Sequence, residues 1–188
     1  MKKSKNEYIT SKKSRELIKK TLIQMIKEQN AQKEINVSTL VDKAHINRGT
    51  FYFHYKSIDE VYREIEDEII FDLKQLLVTS INSNKEEVRD ATLLVNYISQ
   101  FIKSNEKLYS YFLTSYEYHY FLSRLKQELV LFIFNDFLQS KENTLIVVID
   151  FYINGMIGLY QDYYEGKLNL SFSSLNESLI LILNNIFN

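Results

Sequence analysis

Residues 44–57 read AHINRGTFYFHYKS, and the fold turns on how this stretch is read. Five ring-bearing residues stand in a row, Phe51, Tyr52, Phe53, His54 and Tyr55, between Arg48-Gly49-Thr50 and Lys56. As a strand the run alternates Phe51, Phe53 and Tyr55 against Tyr52 and His54, and so short a run has no period that excludes this. No neighbouring segment with similar alternation offers a partner strand, however, and both flanks carry helical spacing. On a helix, Phe51 and Tyr55 share one face at i, i+4, while Arg48, Tyr52 and Phe53 point elsewhere. One face is then core and the other an exposed aromatic surface, so the run reads as a short helix that presents a binding face.

Working outward, Asn36 precedes Val37, Leu40, Val41 and Ala44, an N-cap type ahead of a helix of about two turns. His45-Ile46-Asn47 interrupts the pattern, and Asn47 caps the aromatic helix. Ser57 opens another helix, with Asp59 and Glu60 in its first turn where the macrodipole favours acids. Val61, Ile65, Ile69, Leu73 and Leu76 carry it over residues 57–80. Upstream, Leu17, Ile18, Leu22, Met25 and Ile26 mark a helix from Ser14 to about Gln29, and the polar residues 1–10 are expected to be loose. Downstream the spacing predicts helices at 84–103, 105–115, 116–139, 142–165 and 172–187, punctuated by Ser104-Asn105, Ser140, Gly166 and Ser171.

Composition agrees with an all-α fold. The 188 residues include no proline and four glycines, so breakers are scarce. Cysteine is absent, which excludes disulfides and thiolate chemistry. The basic N-terminus has no apolar segment behind it, and the longest apolar run is the six residues Leu129 to Phe134. The expectation is a cytoplasmic protein without a membrane span. The net charge of −1 conceals an asymmetry: residues 1–60 hold 13 Lys/Arg against 7 Asp/Glu, and residues 61–188 hold 10 against 17. A basic module at 1–60, joined by the helix 57–80 to an acidic one at 61–188, is the expected organisation, and basic modules attract polyanions.

Two short helices joined by a tight turn, with apolar Leu40, Ala44, Ile46 and Phe51, form a helix-turn-helix whose second helix suits the major groove of DNA. Arg48 offers a guanidinium fork to guanine, and Phe53 offers apolar surface to a thymine methyl. Thr50, Tyr52, His54 and Lys56 are types that reach phosphates, and Lys12, Lys13 and Lys33 add diffuse attraction.

The segment INVSTLVDKAHINRGTFYFHYKSIDEVYREI, residues 35–65, resembles the DNA-binding domain of TetR/AcrR-type transcriptional repressors, and the likeness covers about residues 10–70. The resemblance implies that Arg48, Gly49 and Thr50 begin the recognition helix and that Tyr52 faces the groove. It further implies that Phe53 contacts bases, that His54 lies near phosphates, and that Phe51 and Tyr55 are core. Two positions depart from the pattern: His45 stands where a turn glycine is usual, and Ile58 where a lysine is common. Histidine is among the non-glycine residues enriched at positive φ, so the first departure is physically tolerable.

The larger half carries no catalytic constellation. Its histidine, His119, is remote in sequence from His45 and His54, with no metal-ligand spacing, Gly-rich phosphate loop or nucleophile motif, which points away from an enzyme, a metal or a cofactor. In YSYFLTSYEYHYF, residues 109–121, seven side chains are Tyr or Phe. Most such residues serve core packing, yet buried tyrosine hydroxyls need partners. Tyr97, Phe101, Tyr116, His119 and Tyr120 are the expected lining of a pocket for a small apolar or cationic ligand.

On 142–165 one stripe includes Tyr152, Gly155 and Leu159, and on 172–187 another includes Leu175, Leu179 and Leu183. Residues 179–183, LILIL, are apolar all round and need cover on more than one side. The resemblance implies a four-helix homodimer interface there, and a dimer reading a palindromic operator in double-stranded DNA. The expected function is a repressor released by a small molecule. A DNA-organising protein of the same fold, and a helical interaction module that no longer binds DNA, are the competing readings.

Overall fold

The computed structural model describes residues 5–28, 35–83, 91–115, 119–137 and 143–187, and the described residues form nine α-helices and one π-helical turn, with no strand. The fold is all-α. The contacts divide it into two compact units, with the division between Glu68 and Ile69.

The first unit contains α1 (Lys5–Glu28), α2 (Val37–Lys43), α3 (Arg48–His54) and the first part of α4 (Ile58–Ser83). Helix α1 starts well before the apolar spacing, so part of the stretch expected to be loose is helical; Lys and Glu are good helix formers without any apolar stripe. Ile18, Leu22, Leu40, Phe51 and Val61 are fully buried and form the core of this unit.

The turn between α2 and α3 is built by the backbone. The His45 N–H donates to the Asp42 carbonyl at 3.2 Å, and the Ile46 N–H donates to the Val41 carbonyl at 3.1 Å. These are the paired bonds of a Schellman motif, which requires a left-handed residue just past the helix end. His45 fills that position at φ 52°. Two residues later, Asn47 Oδ1 accepts from the Thr50 N–H at 2.7 Å and caps α3. Gly49 leaves room for this cap, because a Cβ there would lie 3.2 Å from Asn47 Oδ1.

The second unit contains the rest of α4 with α5 (Ala91–Ser104), α6 (Glu106–Thr114), α7 (His119–Phe132), a π-helical turn (Ile133–Phe137), α8 (Asn143–Tyr164) and α9 (Phe172–Phe187). Helix α8 packs against α6, α7 and α9, and α9 packs against α5. Tyr152 Oη donates to the Leu179 carbonyl at 2.9 Å, and Tyr160 Oη donates to Asn176 Oδ1 at 2.7 Å. Those two bonds set α8 and α9 antiparallel. Helix α8 ends in a second Schellman pair closed by Gly166 at φ 73°. On length and composition alone, Thr144–Tyr164 suffices to cross a membrane. Its Ile149, Tyr152, Ile153, Met156, Ile157 and Tyr160 are buried, so it is a core helix of this unit.

The left-handed backbone at position 45 yields a stability prediction. His45→Gly relieves the Cβ conflict and enlarges the unfolded ensemble, effects of about 1 kcal/mol each that oppose one another, so the thermal midpoint should hold or rise slightly. His45→Val puts a β-branched residue into that conformation and should cost roughly 1–3 kcal/mol. Equal midpoints for the two variants would show that this turn carries no strain.

Candidate nucleic-acid interface

Two short helices cannot hold their own orientation, so the exposed face of α3 is set by what its buried face touches. Phe51 is fully buried and Tyr55 is 3% exposed, while Tyr52 and Phe53 are 55% and 59% exposed. Arg48, Gly49 and Lys56 are exposed, and Thr50 and His54 are half-buried. The structure thus brings Arg48, Thr50, Tyr52 and Phe53 onto one short helix whose other face is core. Phe51 and Tyr52 meet edge to face at 5.4 Å, which steadies the exposed ring on the buried one.

Polar contacts complete the frame. Arg48 Nη2 donates to Ser38 Oγ at 3.2 Å, which holds the guanidinium at the junction of α2 and α3. His54 Nε2 lies 2.7 Å from Ser14 Oγ on α1, so this histidine also ties α3 to α1. The Lys56 N–H donates to Glu60 Oε2 at 2.7 Å, and Ile58, half-buried, begins α4. Lys12 and Lys13 are exposed on α1, whereas Lys33 lies outside the described residues.

Sequence reasoning missed the anchor beneath this surface. Tyr55 Oη donates to Glu64 Oε2 at 2.8 Å. The same oxygen accepts from Arg15 Nε at 3.0 Å and Nη2 at 2.8 Å, and Lys19 Nζ lies 3.1 Å from Glu64 Oε1. The Arg15 guanidinium also stands 5.4 Å from the centre of the Tyr55 ring. Lys19, with its side chain 5% exposed, further pairs with Glu16 at 3.0 Å and with Glu68. Burial by itself would raise the Glu64 carboxyl, but hydrogen bonds from Arg15, Tyr55 and Lys19 outweigh it and hold the group below its ordinary range. Burial, followed by the bond to Glu64, pushes the Tyr55 phenol up. The available signal was the i, i+4 spacing of Arg15 and Lys19, matched by Glu64 and Glu68.

Of the expected ligand residues in the second unit, Tyr97, Phe101 and Tyr120 are described, and these three do not line one site. Phe101 lines an apolar cavity of about 40 Å³, stacked at 4.6 Å on Tyr109, with Phe112, Phe121, Met156 and Tyr160 among its walls. Tyr97 is half-buried and outside that lining, and Tyr120 is 72% exposed beside Arg124. Tyr116 and the side chain of His119 lie outside the described residues. Burial pushes the Tyr109 phenol up to about 12, aided by the Asp72 charge.

The expected interface residues also separate. Tyr152, Leu175, Leu179 and Leu183 are at most 5% exposed within the single chain, because α8 and α9 turn them toward each other and toward α5. Leu159 is half-buried, and Gly155 is exposed with nothing within 4 Å of an added Cβ. Among the described residues, the large apolar side chains exposed on these helices are Val147 and Phe151 on α8 and Leu181 and Ile182 on α9. Among the described residues, no group of three His, Asp or Glu is placed to hold a metal ion.

No family model and no curated protein sequence matches the chain. Solved structures do. A TetR transcriptional regulator from Streptococcus agalactiae aligns with a TM-score of 0.62 at 19% identity, covering 94% of this chain and 96% of that one. A TetR/AcrR-family transcriptional regulator from Aquifex aeolicus aligns with a TM-score of 0.59 at 22% identity, covering 93% and 99%. The chain therefore has the all-α fold of TetR-type regulators, the fold that the motif in residues 35–65 implies.

The depressed Glu64 carboxyl sets a pH prediction. A folded pKa below the unfolded value, ~4.3 for Glu, contributes stability that is present above that value and lost as pH falls through the folded one. The urea midpoint should change little from about pH 7 to 5 and drop below about pH 4. In Glu64→Gln this acid loss should be shallower, and an unchanged profile would assign the sensitivity to other carboxylates.

Proposed function

We propose that this chain is a homodimeric, sequence-specific DNA-binding transcriptional regulator of TetR type, acting in the cytoplasm as a repressor released by a small apolar ligand. The observation that carries the reading is the exposed face of α3. Two large aromatic rings, Tyr52 and Phe53, stand in solvent beside Arg48 on a helix whose opposite face is anchored in a core. Exposed aromatic surface rimmed by basic and hydroxyl groups marks an interaction site. Its chemistry suits the major groove, with Arg48 for guanine O6 and N7 and Phe53 for a thymine methyl. Thr50, Tyr52, His54 and Lys56 suit phosphates. The similar solved structures are transcriptional regulators, which supports the same role here.

A second copy of the chain is supported by the outer faces of α8 and α9. Phe151 is 75% exposed, Val147 67% and Leu181 63%, on helices whose inner faces are already used. A two-fold pair would read two half-sites one helical turn, ~34–36 Å, apart on a palindromic operator. The cavity beside Phe101 supports an apolar effector over a cationic one, since there is no carboxylate among its described wall residues. At about 40 Å³ it has room for only a few water-sized groups, so a larger effector requires the surrounding helices to part.

Gel shifts on duplexes selected by the protein from a random pool test the reading. Tyr52→Ala should weaken binding at least tenfold. Arg48→Ala should cost about 1–3 kcal/mol and relax the preference at one position of each half-site. Full affinity and preference in both variants would remove α3 from the interface. For the dimer, light scattering should give twice the chain mass for the wild type and a folded monomer for Phe151→Glu. A wild-type monomer at micromolar concentration would exclude the two-fold arrangement.

A further inference from the structure

Helix α3 spans seven residues, and apolar burial holds it without fixing its direction, because the hydrophobic effect is non-directional. Directional bonds act at its two ends. At the N-terminus, Asn47 caps α3 immediately after the Schellman turn. At the C-terminus, Tyr55 leaves the helix at φ −139° and ψ 142° and sends its hydroxyl to Glu64 on α4. Glu64 is itself fixed from α1 by Arg15 and Lys19. Three helices are therefore tied at one carboxylate, and the ring whose hydroxyl completes the tie is one turn beyond Phe51.

We infer that Tyr55 and Glu64 are positioning residues that set the sequence preference of α3 without touching DNA. This rests on the DNA-binding reading above. The contacts that distinguish bases are short and angular, so they fail when α3 tilts or slides by a fraction of its 1.5 Å rise per residue. Attraction to phosphates is long-ranged and tolerates such a shift. Loosening the Tyr55–Glu64 bond should accordingly lower discrimination and leave general affinity for DNA in place. A residue that served stability alone would reduce both together.

Two variants separate these outcomes. Tyr55→Phe keeps the buried ring and removes the hydroxyl, leaving Glu64 with Arg15 and Lys19. Glu64→Asp keeps the negative charge between the two cations but draws the carboxylate back by one methylene, out of reach of the hydroxyl. Each is assayed by fluorescence anisotropy on a duplex selected from a random pool by the wild-type protein, and on a scrambled duplex of equal composition. Thermal unfolding is followed in parallel. The ratio of the two affinities should fall about 3- to 10-fold in both variants, the scale of one hydrogen bond. Affinity for the scrambled duplex should stay within about twofold, because it depends on charge that neither variant alters. An unchanged ratio in both variants would overturn the inference while leaving the DNA-binding reading intact. Parallel loss on both duplexes together with a lower unfolding midpoint would overturn it in favour of plain stability. Failure of the wild type to select any sequence would overturn both readings.

Discussion

Phe51 and Tyr55 lie one turn apart on a helix too short to persist in water, and their burial against α1, α2 and α4 is what allows α3 to exist. Isolated helices shorter than about 12–15 residues are marginal even with good propensities. Glycine, threonine and successive aromatics are not good formers. Burying one large aromatic side chain contributes about 1.5–3 kcal/mol, enough to offset that deficit. The same burial divides the ring run into inner and outer residues, so Tyr52 and Phe53 are exposed because Phe51 and Tyr55 are not.

The polar cluster around Glu64 adds what apolar packing lacks. Glu64 is partly shielded, with about a fifth of its side chain exposed, and it receives bonds from Arg15, Lys19 and Tyr55. A half-buried carboxylate satisfied from several sides stays ionised, whereas removing one partner leaves the others with a desolvation cost. Lys19 illustrates the balance: burial opposes its charge, but Glu68, Glu16 and Glu64 surround the ammonium and raise its pKa. Both the fold of the first unit and the aim of α3 thus pass through a few directional contacts between α1 and α4.

In the second unit the same principle works in the opposite sense. Leu175, Leu179 and Leu183 form one stripe of α9 that the chain covers by itself, mainly with α5 and α8. Leu181 and Ile182 lie on the outer side of that helix, as Val147 and Phe151 do on α8. Through the Tyr152–Leu179 bond, the antiparallel register sets both pairs at the same end of the α8–α9 hairpin. Residues 179–183 are apolar all round, and an apolar face left in water favours a cover, the consideration on which the proposed second copy rests.

Much of the architecture was determined by the sequence alone. The absence of proline, the caps at Asn36 and Asn47, and the three-and-four spacing of apolar residues place helices close to those observed, and the 172–187 helix matches at both ends. Such signals are local, carried by backbone geometry within a few residues, and so are legible without the rest of the chain. The left-handed turn at His45 was expected only through the resemblance, in which glycine is usual at that position and histidine is tolerable. Tertiary structure alone decided which apolar stripe of α8 and α9 faces inward, that Tyr120 stands in solvent while Phe101 meets a cavity, and that Tyr55 reaches Glu64. Spacing tells which residues share a helix face, but not which neighbour that face meets. Partners such as Tyr55 and Glu64, or Arg15 and Glu64, are chosen by how separate helices pack, and no short window of sequence contains that information.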